Sequence, residues 1–241
     1  EPDVLAVTSD RPSLISLNRF EGKKNVLLAL QAFAEVKSQQ QDRPLRLVLA
    51  GGYDHRLEDN RRVLASLQST CEELNLTHTI TSPHTLPPGL TLASLAAIQN
   101  SDVVILLNFT TPQRTALLRS PSTLALLYTP ENEHFGIVPI EAMACGVPVL
   151  ACNSGGPLES VVPVSSDSTQ QRTGWLCPPS PSTWSQAILE IISLTPSERE
   201  AISNAAKARA EALFSMDAMA RGLEKSLKDA VEMGGVEGEL A

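Results

Sequence analysis

The 241 residues carry 27 Asp and Glu against 19 Lys and Arg, a formal net charge of −8, with 42% hydrophobic and 19% charged residues. That is the balance of a globular domain at the large end for a single core. Its acidity argues against nucleic acid as a partner and gives no general attraction to acidic membrane surfaces. No apolar run approaches the ~20 residues of a transmembrane helix. The four cysteines, Cys71, Cys145, Cys152 and Cys177, form no C-x-x-C pair, which points to reduced, mostly structural thiols of a cytosolic compartment.

Residues 1–12, with Pro2 and Pro12 near their ends, read as a linker. A short apolar strand follows at 14–17, then a polar, basic turn at 18–24. From there Val26, Leu27, Leu30, Phe33 and Ala34 recur at helical spacing. Arg19 and Lys24 lie in this strand-to-helix turn. Two cations there suit a diphosphate, Arg19 with a bidentate fork, although two solvated surface charges satisfy the same pattern. Residues 45–50 form a near-continuous apolar strand ending in Gly51 and Gly52. The missing side chains would let backbone approach a nucleotide closely; a simple turn is an equally good reading. No G-x-G-x-x-G follows any strand, so the fingerprint of a nicotinamide or flavin dinucleotide site is lacking. A helical pattern covers 60–76, a proline-rich loop 82–91, a buried strand 101–107 and a short helix 113–119.

The stretch 128–160 is the most informative. The apolar run 124–127 reads as a parallel strand, and 129–134 as a polar turn. A short helix follows with Pro139 in its first turn, where a missing N–H costs little, and Gly146 at its end. Residues 147–152 make the next strand, and Asn153, Ser154, Gly155 and Gly156 a second tight turn into a helix near Pro157. Two strand-to-helix turns thus stand side by side at the carboxyl end of a sheet, where open α/β sheets bind ligands and helix N-termini favour phosphate. Glu133 and Glu141 are spaced E-x7-E. With a helix starting near Phe135, both reach one ligand. Carboxylates suit hydroxyl donors such as sugar and ribose, though acids at a helix start also complement its dipole. Further on come a short strand at 174–177, a helix with Trp184, Ala187, Ile188, Ile191 and Ile192 on one face, a capping box at Thr195–Glu198, and a final amphipathic helix from Ser215 to about 232. Residues 233–241 are expected to be a disordered tail. The alternation predicts a doubly wound, Rossmann-like α/β domain over 13–232, with a parallel sheet of about six strands.

The runs NEHFGIVPIEAMACGVPVLA and NSGGPLES, with SLNRFEGKKN and LVLAGGYD, resemble the retaining GT-B glycosyltransferases of the nucleotide-sugar family marked by E-x7-E, over roughly residues 12–220. Within that family the four segments are similar to the mannosyltransferases that extend dolichol-diphosphate-linked oligosaccharide for N-glycosylation. The loop at 82–91 is longer than the family pattern. The resemblance implies that this chain is the C-terminal, donor-binding half, with GDP-mannose as donor substrate, no metal and no resident cofactor. It implies that Arg19 and Lys24 bind the donor diphosphate and Glu133 positions the transferred mannose. Phe135, Gly136 and Ile137 would offer backbone N–H groups, Glu141 would accept from the ribose, and Gly155 and Gly156 would keep the neighbouring turn open. The dolichol-linked acceptor and membrane association at the cytosolic face of the endoplasmic reticulum would depend on an N-terminal domain outside this sequence. An inactive nucleotide-sugar-binding module is the alternative.

Overall fold

Apolar runs of four to six residues alternating with helical periods can bury both faces of one sheet, and the computed structural model has those layers. It describes residues 7–84, 86–164 and 171–238. Among them, seven parallel strands form one sheet: β1 (Ser13–Leu17), β2 (Arg46–Gly51), β3 (His78–Thr81), β4 (Val103–Leu107), β5 (Thr123–Tyr128), β6 (Val149–Cys152) and β7 (Gly174–Cys177). Their order is β3-β4-β2-β1-β5-β6-β7. The connecting helices are α1 (Val26–Gln39), α2 (Glu58–Glu73), α3 (Leu95–Asn100), α4 (Thr111–Arg119), α5 (Ile137–Ala144), α6 (Pro157–Ser160), α7 (Pro181–Ser193), α8 (Pro196–Phe214) and α9 (Met216–Gly238). None of these helices is long and apolar enough to cross a membrane.

Successive strand residues point to opposite faces, so the central strands feed two cores. Leu14, Leu47, Leu49 and Ile105 pack with Phe33 of α1, Leu67 of α2 and Trp184 of α7. Ile15, Leu17, Val48 and Leu106 pack on the other face with Leu117 of α4, Met143 of α5 and Ala206 of α8. Full burial of each such large apolar side chain contributes about 1.5–3 kcal/mol.

The strand expected at each apolar run is present. The additional one, β3, has the sequence HTIT and lies at the sheet edge beside β4. Its polarity hides it from an apolar-run reading, and its pairing with β4 makes it a strand. The helix expected at 60–76 begins earlier, at Glu58, and ends before Asn75, whose φ of 54° lies in the left-handed region. Helix α3 was not anticipated; Ser94 caps it by accepting from the Ala97 N–H.

Residues 1–6 of the expected linker lie outside the described residues, and 7–12 are docked on the domain. Val7 is buried, and its carbonyl accepts from the buried Arg46 guanidinium. Arg11 donates to the carbonyls of Pro44, Leu45, Gln99 and Ser101, tying this stretch to the starts of β2 and β4. At the other end, α9 continues to Gly238, so the expected tail at 233–241 is helical as far as that residue; 239–241 lie outside the described residues.

Candidate functional site

The strand order reverses at β1: the chain moves from β1 outward through β2, then returns to the other side at β5. The crevice at the carboxyl ends of β1 and β5 is the topological switch point, where a doubly wound sheet opens. A cleft of about 330 Å³ lies there, lined by residues from four strand-to-helix turns and the helix starts behind them.

The first turn begins at Asn18, directly after β1. Asn18 N–H donates to Ala50 O at 3.0 Å and Phe20 N–H to Gly52 O at 3.0 Å, which pins Arg19 between two bonds to the end of β2. Close approach of the two strand ends is why position 51 is glycine: a Cβ there would fall on the Asn18 carbonyl. Arg19 reaches outward over Gly52 and pairs with Glu21 at 2.9 Å. The turn then tightens into a 3₁₀ segment over Gly22–Lys24, closed by Asn25 in the left-handed region. Thr129, fully buried after β5, donates its hydroxyl to Lys24 O at 2.6 Å. This bond couples the basic turn to the acidic one. Lys24 points into the cleft and makes an ion pair with Glu133.

The acidic turn between β5 and α5 is braced from behind. Gly156 N–H donates to Glu133 O at 2.7 Å, and Asn132 N–H to Ser154 Oγ at 3.0 Å. A Cβ on Gly155 or Gly156 would collide with the carbonyls of Glu133 and Phe135. These two glycines therefore support the turn and do not line the cleft. Phe135 also faces away, edge-on to Phe214 with ring centroids 5.8 Å apart. Gly136 caps α5 at φ 80° with Tyr128 Oη where a Cβ would need room, so both backbone and packing require glycine there. Burial pushes the Tyr128 phenol well above its ordinary pKa, with the Glu133 carboxylate adding to the shift, so it stays protonated at neutral pH.

Helix α5 starts at Ile137, two residues after the expected start near Phe135, and Glu141 lies in its second turn as expected. Ile137 and Val138 line the cleft at the helix N-terminus, where backbone N–H groups lack intrahelical partners. Glu141 Oε1 accepts from Arg114 Nη1 at 2.8 Å, while Glu141 Oε2 is buried with no partner among the described residues. The lining carries three cations, Arg19, Lys24 and Arg114, against the two carboxylates Glu133 and Glu141. With the helix N-terminus added, the cleft favours a ligand with negative charge and free hydroxyls.

Of the residues singled out from sequence, Arg19, Lys24, Gly51, Gly52, Glu133, Gly136, Ile137 and Glu141 line this cleft, whereas Phe135, Gly155 and Gly156 do not. Arg114, Tyr128 and Phe109 line it too and were not anticipated. For Arg114 the signal was available: a cation at the start of the helix that follows a strand, close to the kind of strand-to-helix turn that carries Arg19 and Lys24.

Residues 1–209 match the family model described as glycosyl transferases group 1. Among curated proteins, the chain is 39% identical over 223 residues to alpha-1,3/1,6-mannosyltransferase alg2 of Schizosaccharomyces pombe, covering 92% of this chain and 41% of that protein. It is 38% identical over 218 residues to alpha-1,3/1,6-mannosyltransferase ALG2 of Saccharomyces cerevisiae, covering 90% and 42%. The chain thus spans less than half the length of these relatives. Among solved structures, sucrose-phosphate synthase from Thermosynechococcus elongatus superposes with a TM-score of 0.66 at 22% identity, over 95% of this chain and 48% of that one. Anabaena Alr3699/HepE in complex with UDP and glucose gives 0.66 at 18% identity, over 91% and 49%. At these identities the likeness is one of fold.

Proposed function

We propose that this chain, which belongs to the group 1 glycosyl transferases, is the donor-binding half of a retaining, GDP-mannose-dependent mannosyltransferase. Its acceptor is dolichol-diphosphate-linked, mannosylated chitobiose at the cytosolic face of the endoplasmic reticulum, and the linkage formed is alpha-1,3, alpha-1,6 or both. The names of relatives at 38–39% identity support the sugar and the linkages. Those relatives are more than twice as long, which supports an acceptor site and membrane association carried by other parts of a longer protein. The donor is a substrate, and no resident cofactor is needed.

The observation that carries this reading is the arrangement of cations and carboxylates at the switch point: Lys24 on Glu133, Arg114 on Glu141, and one Glu141 oxygen buried without a partner among the described residues. When the bond from the anomeric carbon to the terminal phosphate oxygen breaks, its electron pair leaves with the diphosphate. Arg19 and Lys24 stabilise that developing charge, together with the N–H groups at the start of α5. Lys24 exchanges Glu133 for phosphate as the donor enters. That exchange leaves the Glu133 carboxylate to accept from mannose hydroxyls, and Glu141 to accept from the ribose.

The test is calorimetry of GDP, UDP and ADP on this chain. GDP is expected to bind most tightly, and Arg19→Ala to weaken it by about 1.5–3 kcal/mol, the range for a hydrogen bond to a charged group. Equal affinity for the three nucleotides would remove the GDP assignment, and unchanged GDP affinity in the variant would remove Arg19 from the diphosphate.

A further inference from the structure

We propose that Arg114 is a positioning residue: it holds the Glu141 carboxylate so that one oxygen is kept for the vicinal hydroxyls of the nucleotide ribose. The proposal rests on the reading of this cleft as a nucleotide-sugar site, and it concerns a residue that acts through Glu141.

A carboxylate on a glutamate stem is free to spin about its last bond, so a lone glutamate presents no fixed acceptor direction. Here Glu141 Oε1 is held by Arg114 Nη1 at 2.8 Å, and that bond sets where Oε2 lies. Oε2 is buried and has no hydrogen-bond partner among the described residues. A buried, unpaired carboxylate oxygen is costly, and a hydroxyl donor entering the cleft relieves that cost. Charge points the same way. A cleft that takes a diphosphate is a poor place for two bare carboxylates, and Arg114 offsets the Glu141 charge as Lys24 offsets that of Glu133.

The mounting of Arg114 is itself rigid. Thr110 caps α4 in a capping box, its hydroxyl accepting from the Gln113 N–H at 3.3 Å and its own N–H donating to Gln113 Oε1 at 3.0 Å. Arg114 N–H closes the first helical turn on Thr110 O at 3.0 Å. The turn before the cap is held by Asn108, at φ 54°, whose amide bonds Tyr53 both ways, at 2.7 and 2.9 Å. Arg114 therefore reaches Glu141 from a backbone fixed on its N-terminal side by the cap and by the turn before it. The planar fork of arginine adds direction that a lysine ammonium would not.

The experiment compares GDP with 2′,3′-dideoxy-GDP by calorimetry on the wild-type chain and on Arg114→Met, Arg114→Lys and Glu141→Gln. In the wild type, GDP is expected to bind at least about tenfold more tightly than the dideoxy nucleotide, as for a hydrogen bond to a charged group. In Arg114→Met that preference collapses to within about threefold, in Arg114→Lys it is partly kept, and in Glu141→Gln it falls as in Arg114→Met. If Arg114→Met does not fold, Arg114→Lys carries the comparison, with thermal unfolding as the check. A preference unchanged in the Arg114 variants overturns the proposal. So does an equal loss for both nucleotides, which would put Arg114 on phosphate or base directly, and so does a wild type with no preference. A wild type that binds GDP no better than it binds UDP or ADP removes the assignment of the guanine nucleotide, which the ribose comparison can survive. One that binds no nucleotide removes the site reading and this proposal with it.

Discussion

Glu133 pairs with Lys24 in the free chain and, on the proposed function, exchanges it for a sugar hydroxyl in the donor complex. Replacing it by glutamine keeps the shape but removes the charge, so Glu133→Gln should lower mannose transfer in the longer protein roughly 10- to 150-fold, the worth of one charge-assisted bond. GDP affinity should change by far less, because the nucleotide is held by other groups; steady-state kinetics against GDP calorimetry separates the two. Equal losses would put Glu133 on the nucleotide. Thr129 makes a different case. Its hydroxyl is fully buried, donates to Lys24 O at 2.6 Å and accepts from Asn18 Nδ2 at 3.4 Å. Thr129→Val should cost about 1–3 kcal/mol in urea denaturation, since it removes the donor from the half-buried Lys24 carbonyl and one of two acceptors from the buried Asn18 amide. It should also weaken GDP binding through the loosened Lys24 turn. Arg19, Lys24 and Glu133 were legible as charged types in strand-to-helix turns, and Glu141 by its spacing from Glu133. Thr129 was not, because its partner lies 105 residues away and a threonine after a strand carries no distinguishing pattern.

At the level of elements, local signals held wherever local chemistry decides. The Thr195–Glu198 capping box is formed as its spacing implied: Thr195 Oγ1 accepts from the Glu198 N–H at 3.3 Å, and Glu198 Oε2 accepts from the Thr195 N–H at 2.8 Å. Thr195→Ala should lower stability by about 1 kcal/mol, as for other N-cap losses. The Thr195 hydroxyl, and after it the Thr195 N–H, hold the Glu198 carboxyl below its ordinary range. A folded-state value below the unfolded one means the contribution is present above the unfolded glutamate pKa and fades as pH falls through the folded value. The gap between wild type and Thr195→Ala should therefore narrow on going from pH 7 to about pH 3.5 in thermal unfolding; a constant gap would mean that the box gains nothing from the ionised carboxylate. Local signals failed at β3, where HTIT has three β-branched residues but no apolar continuity and only four residues. There the edge of β4 supplies the hydrogen bonds that the segment's own pattern does not advertise.

At the scale of the whole molecule, the order β3-β4-β2-β1-β5-β6-β7 determines which turns face one another. It brings the basic turn after β1 against the acidic turn after β5, with a cleft of about 330 Å³ between them. Transfer needs donor and acceptor held together with water excluded. On the proposed function, a single doubly wound domain with its cleft at the carboxyl ends of β1 and β5 supplies the donor half of that arrangement. The isolated chain should bind GDP yet give no measurable extension of a mannosylated chitobiosyl-diphospho-lipid, whereas a protein of the relatives' full length should extend it. Product masses from parallel incubations with GDP-mannose decide the matter. Extension by the isolated chain at a comparable rate would show it to be a complete catalyst.

The sequence by itself determined the layers and the chemistry available. Apolar runs of strand length alternating with helical periods leave little but a doubly wound parallel sheet, and carboxylates eight residues apart around a helix start can both reach one ligand. Both are short-range properties, governed by side-chain direction along a strand or a helix. Only the tertiary structure decided the pairing: Lys24 with Glu133 across 109 residues, Arg114 with Glu141 across 27, and Arg11 tying 7–12 to the starts of two strands. The reason is that strand order follows from how the crossover helices pack on the two faces. Periodicity says that a strand has two buried faces, but not which strand will lie beside it.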